Sequence, residues 1–112
     1  MMRLKKTVNG LPYRTRVYLN NQVLLPASLV RALGIEGADY ADVIIRFNDK
    51  IIEIRDVKLL RNRRAVSRQF TIPREVREEY GVGPLDEVEI VQVRPKSAVE
   101  VFRESGMTLI RK

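Results

Sequence analysis

The side chains best equipped for chemistry in this sequence are arginines, and they come in two groups. Arg14 and Arg16 alternate just ahead of "NNQVLLP", and Arg61, Arg63, Arg64 and Arg68 crowd ahead of "QFTIP". Arg3, Lys5 and Lys6 extend the first group without one acid among them, and from Arg55 to Arg68 only Asp56 opposes the second. A guanidinium is always charged and carries donors in a rigid fork that fits phosphate oxygens and the O6/N7 edge of guanine. A stripe of such groups neutralises phosphates and releases counterions. The acids gather elsewhere: Glu36, Asp39 and Asp42 in one half, Glu75, Glu78, Glu79, Asp86, Glu87 and Glu89 in the other.

Other chemistries find little material. The chain has no cysteine and no histidine. Disulfides, thiolate nucleophiles, imidazole bases and Cys/His metal sites are therefore excluded by composition. Ser28, Ser67, Ser97 and Ser105 have no histidine to activate them. Glu78 and Glu79 are adjacent, so on a helix they point to different sides, unlike a shared acid/base pair. "GVGPL" reads as a helix stop and turn rather than a nucleotide loop. No enzyme activity and no cofactor are expected. Lys and Arg outnumber Asp and Glu by 21 to 14 in 112 residues, a net charge of +7. That balance favours an anionic partner, nucleic acid before a membrane surface. No apolar run approaches a membrane span. The basic N-terminal stretch has no apolar core behind it, so it does not read as a secretory signal.

The elements that must position the arginines are written twice. "NNQVLLPASLVRALGI" and "SRQFTIPREVREEYGV" each read strand, proline, short helix, glycine stop. Proline pre-sets the first helical turn, and glycine takes the left-handed position that ends it. An offset of 47 residues (Pro26 to Pro73) aligns Gln22 with Gln69, Leu29 with Val76, Leu33 with Tyr80, Gly34 with Gly81 and Asp39 with Asp86. It also aligns Arg16 with Arg63. "DVIIRF" is answered by "EVEIVQV", with one or two residues fewer in the loop before it, and "IIEI" by a strand over "SAVEVF". Self-similarity at one fixed offset is the signature of repeated units.

"RQFTIPREVREEYGVGPLDEVEI" resembles the AbrB/SpoVT swapped-hairpin DNA-binding domains. Gln69, Thr71, Ile72, Pro73, Arg74, Glu75, Val76, Arg77, Gly81, Val82, Asp86, Val88 and Glu89 sit on the family pattern. The first unit carries Gln22, Val23, Leu25, Pro26, Leu29, Leu33, Gly34, Ile35 and Asp39 on it. The resemblance implies a mainly β fold with two short helices: duplicated ββαβ units forming a swapped-hairpin, double-psi-like (cradle-loop) barrel closed within one chain, similar to the two-unit arrangement of MraZ-type proteins. Where the family commonly has glycine, this chain has Asn21 and Arg68 before the glutamine, and Ala38 and Leu85 before the aspartate. Asparagine tolerates positive φ and arginine does not, so the second hairpin should differ in shape.

The expected organisation is a basic arm over residues 1–12, one pseudo-twofold barrel over 13–103 (units 13–57 and 58–103), and an extension over 104–112. One unit has too little core and unpaired strand edges; the second supplies both. The expected function is a DNA-binding transcriptional regulator or chromatin-type protein, cytoplasmic and nucleoid-associated, whose partner is double-stranded DNA. The family resemblance points to Arg14, Arg16, Arg61, Arg63, Arg64 and Arg68 as the contacts. Barrels are free to assemble into a homo-oligomer, and no membrane partner is expected. The alternative is a protein-binding module, an antitoxin or an adaptor of the ATPase N-domain type.

Overall fold

A computed structural model describes residues 10–61 and 64–104. Over these residues the fold is mainly β, with three short helices. In order, the elements are β1 (Tyr13–Arg16), β2 (Gln22–Leu25), α1 (Ala27–Leu33), β3 (Tyr40–Phe47), β4 (Lys50–Lys58), β5 (Leu60–Arg61), β6 (Arg68–Thr71), α2 (Arg74–Tyr80), β7 (Glu87–Lys96) and α3 (Ala98–Glu104). The strands form two antiparallel sheets, ordered β1-β7-β3-β4 and β2-β6-β5, and no ladder among the described residues joins them into a closed barrel.

Local chemistry explains the punctuation. Pro26 and Pro73 are the extended N-caps of α1 and α2. Gly34 and Gly81 end those helices at φ 68° and 72° and return their N–H groups to the last turn. Ile35 and Val82 then drop into the core, the hydrophobic contact that accompanies such a stop. Asn48 and Asp49 both have positive φ, as the tight turn of the β3–β4 hairpin requires.

Every strand of the first half finds a partner beyond its own half except where β3 and β4 form their hairpin. β1 pairs with β7 from Tyr13↔Ile90 to Arg16↔Glu87. β2 pairs with β6, Val23 standing opposite Phe70. These two residues are aligned by the 47-residue offset, so the offset exchanges the flanking pairs Gln22↔Thr71 and Leu24↔Gln69. β3 lies against β7, with Ile45↔Ile90 and Val43↔Val93 on either side of a bulge at Val91. Val17, Val23, Leu25 and Ile45 share one core with Phe70, Ile72, Val88 and Ile90.

Three expectations need correction. The loop before β7 is not shorter: Asp39/Asp86 and the buried pairs Ala41/Val88 and Val43/Ile90 keep the same offset, and the irregularity is Val91 inside the strand. "SAVEVF" is not a strand. It enters α3, where Ser97 and Glu100 form a reciprocal cap: Ser97 N–H donates to Glu100 Oε1 (2.9 Å) and Glu100 N–H to Ser97 Oγ (3.2 Å). This S-x-x-E box outweighs the alternating pattern of Val99 and Val101. A third helix therefore joins the two expected.

The third correction concerns the first strand of the second half. Val17 N–H donates to Asp86 O (2.9 Å), and Leu59 N–H donates to Asp39 O (2.8 Å). Since Asp39 answers Asp86, Leu59 answers Val17, at an offset of 42. Lys58, opposite Tyr40, takes the place of Arg16, opposite Glu87. The second hairpin connection is thus five residues longer than the first, and Arg16 does not correspond to Arg63. The expected arm falls mostly, and residues 105–112 of the extension wholly, outside the described residues.

Candidate nucleic-acid interface

β1 alternates as its spacing requires. Tyr13 and Thr15 turn inward, while Arg14 and Arg16 are exposed on the outer face of the four-stranded sheet. Neither stands over a bare row. Arg14 lies opposite Glu89, and Arg16 opposite Glu87. Glu89 is already engaged from its other side by the Arg46 guanidinium. Arg16 donates from Nη1 to Leu85 O at 3.3 Å. Arg14 makes no hydrogen bond or ion pair among the described residues. The outer face is therefore a checkerboard of arginine and glutamate with a small cationic excess, not an unbroken basic stripe.

The second group is dispersed. Arg61 lies on β5, in the other sheet, and is ion-paired with Asp39 at 2.8 Å. Arg64 is exposed in the turn that follows, and Arg63 lies outside the described residues. Arg68 is 5 % exposed. Its guanidinium donates to the carbonyls of Val66, Ser67 (3.2 Å) and Glu36 (2.5 Å). A guanidinium spent on three carbonyls in the interior is not available to a phosphate, so Arg68 is a structural residue that ties the long hairpin connection to the loop after α1. β1 and β5 lie in different sheets, so Arg61 does not extend the row of Arg14 and Arg16.

Lys58 is the residue that sequence reasoning passed over. It is exposed, occupies the place of Arg16, and makes no ion pair among the described residues. The signal was the alternation of Val57 and Leu59, which repeats that of Thr15 and Val17. A constant offset hid it. Arg16 and Lys58 stand level with opposite ends of the ten-residue β7, roughly 30 Å apart along the strand at about 3.3 Å per residue.

The hairpin between β1 and β2 ends in a closed turn. Asn21 N–H donates to Tyr18 O, and Tyr18 N–H to Gln22 O, both 2.9 Å. Asn20 Oδ1 accepts from Gln22 N–H at 3.1 Å. Asn21 takes φ 65°, a left-handed conformation that asparagine tolerates. Leu85 also takes a positive φ, 73°, at a cost of roughly 1–2 kcal/mol for a residue with a Cβ. Arg68 is not among the positive-φ residues; the longer connection replaces the tight turn there.

A buried ionic cluster sits at the far end of β7. The Lys96 ammonium lies 2.5 Å from Asp56 Oδ1 and 3.3 Å from Asp42 Oδ1, and Arg94 binds the other oxygen of Asp42. Asp56, in a bulge at φ 58°, also gives its N–H to Asp42 at 2.9 Å. Burial pushes the Asp42 carboxyl up. The Asp56 N–H, Lys96 and Arg94 together outweigh it and hold that carboxyl below the usual aspartate range. Its described members join β3, β4 and β7, so its role is architectural.

Among the described residues there is no grouping of side chains able to hold a metal ion, and no helix long and apolar enough to cross a membrane. In comparisons with known proteins, no family model, no curated protein and no solved structure matches the chain.

Proposed function

We propose that this protein binds double-stranded DNA, as a transcriptional regulator or chromatin-type protein, through the outer side of β1 and its hairpin. On this reading its architecture is that of two tandem AbrB/SpoVT-type units, interleaved as swapped hairpins within one chain. The observation that supports the reading is strand pairing across the two halves: β1 pairs with β7 and β2 with β6, with Val23 opposite Phe70. Net charge supports the choice of partner, because a strongly basic small domain is drawn to polyanions. Arg14 and Arg16 at one end, and Lys58 at the other, are the phosphate contacts on this reading. Their roughly 30 Å separation approaches the 34–36 Å turn of B-DNA that a twofold binder spans. Arg61 and Arg64 flank the second hairpin as further contacts.

A protein-binding module is the second reading. It is favoured by the glutamates opposite Arg14 and Arg16, and by the Asp39 partner of Arg61. Retention of the intact protein on random-sequence duplex DNA, compared with an acidic protein column, separates the two. DNA retention that fades steeply with salt supports the first. Passage straight through DNA at low salt removes it.

A further inference from the structure

The tip of the turn between β1 and β2 is apolar, and hydrogen bonds close it. Leu19 is 76 % exposed, Tyr18 is 43 % exposed, and Leu85 beside them is 60 % exposed. Together with Arg16, Val17 and Asn20 they line a shallow apolar groove. Leu19 occupies the corner of the turn closed by Asn21 N–H to Tyr18 O. The neighbouring Leu85 holds its exposed side chain there despite a strained left-handed backbone. Glycine would relieve that strain and remove the apolar surface at once.

We propose that Leu19 is an apolar wedge that enters the minor groove of duplex DNA and parts two stacked base pairs, with Tyr18 and Leu85 as the collar that stops its entry. This rests on the DNA-binding reading above and adds a mode of engagement to it. Three features favour DNA over a protein as occupant. Arg14 and Arg16 are exposed on the strand leading to the tip, and supply charge complementary to the phosphates on either side of the groove. Leu19 stands at the corner of one tight turn and is the most exposed of the large apolar side chains there. Asn20 commits its Oδ1 to Gln22 N–H, which leaves its amide N–H groups as donors for the adenine N3 and thymine O2 acceptors on the groove floor. Minor-groove proteins use wedges of this kind to kink flexible steps toward the major groove. The expected preference is therefore for A·T-rich sites containing a TA step, which unstacks readily.

The test uses the full chain and a short duplex with 2-aminopurine at a central TA step, at low salt, with anisotropy read in parallel. The wild type should bind and raise the 2-aminopurine emission. Leu19→Ala should abolish that rise yet lower affinity by no more than about tenfold, since phosphate contacts dominate affinity. Leu19→Met should keep the rise. Because Leu19 is exposed, all variants should melt with the wild type. Binding without a rise in emission, or a rise that survives in Leu19→Ala, overturns the wedge and leaves DNA binding standing. No anisotropy change with wild type overturns both. Self-association in sedimentation that Leu19→Ser dissolves would make the tip a contact between copies of this chain, and overturns the wedge as well.

Discussion

Val23 and Phe70 face each other across the β2–β6 ladder, each fully buried, and each is the residue that the internal offset assigns to the other. A ladder centred on such a pair cannot form within one unit. It needs the strand before α1 and the strand before α2 together. The same holds for β1, whose ladder partner is β7.

A chain ending at Asn62 should therefore not fold as a monomer. It keeps the β3–β4 hairpin but loses the partners of β1 and β2. Circular dichroism and sedimentation should show either an unfolded chain or self-association that replaces the missing half. A folded, monomeric half would contradict the shared core.

Gly81→Val should destabilise by about 1–2 kcal/mol, because a β-branched residue is strained at the left-handed stop of α2. Gly83→Ala should stay within about 0.5 kcal/mol. A Cβ meets no atom within 4 Å at either position, and only Gly81 has positive φ. A difference in thermal midpoint therefore does not come from a clash of the added Cβ and reports chiefly the strain at the left-handed backbone of Gly81. Equal midpoints would contradict the assignment.

Arg68→Ala should cost about 3 kcal/mol, since it leaves carbonyls of Val66, Ser67 and Glu36 short of a donor in the interior. Arg64→Ala, at an exposed turn position, should change stability by less than about 0.5 kcal/mol. Urea midpoints separate the two. The loss in Arg68→Ala should appear in stability first, and in any binding only through it.

Asp42 gives the fold an acid limit. Its carboxyl is held below the ordinary range, so the folded state keeps it ionised at a pH where the unfolded chain, with a pKa of about 3.9, takes up a proton. That contribution is complete above the unfolded value and is lost as pH falls through the folded one. Asp42→Asn should be weaker than the wild type at pH 7 by about 1.5–3 kcal/mol, the range for hydrogen bonds to a charged group. The gap should narrow below about pH 4, as the unfolded wild-type chain takes up a proton that the folded state still refuses. A gap independent of pH would contradict the role of the ionised group.

Much of this was legible where one residue does one local job. Pro26, Pro73, Gly34 and Gly81 act on the backbone beside them, so α1 and α2 fall where the letters place them. Asn21 announced its left-handed turn in the same way. What failed depended on length or distance. The longer second hairpin shifted Lys58 into the place expected of Arg63, because nothing local fixes the length of a loop. The burial of Arg68 and Lys96 depends on partners far away in sequence, Glu36 and Asp42, which a pattern of charges does not reveal. α3 was the one local signal misread: its cap was written in Ser97 and Glu100 but was outweighed by the alternating valines. Of the six arginines singled out, Arg14 and Arg16 stand together on one exposed strand, Arg61 lies on the other sheet with Arg64 in the turn beyond it, Arg68 belongs to the interior, and Arg63 lies outside the described residues.

The central claim is a docking face for DNA at β1, and the salt dependence of binding tests it most directly. Wild type, Arg14→Ala/Arg16→Ala and Arg31→Ala/Arg74→Ala should be titrated onto one random duplex across a salt series. The last pair removes the same charge from exposed helix positions; Arg77 is avoided because it donates to Ile72 O at 3.1 Å. Wild type should bind at low salt. The β1 variant should bind more weakly and flatten the slope of log K against log salt by about one to two units, close to 0.9 for each phosphate no longer neutralised. The helix variant should keep the wild-type slope. Equal losses of affinity in the two variants would reduce binding to net-charge attraction with no docking face, and a wild type that ignores DNA at low salt would contradict the account outright.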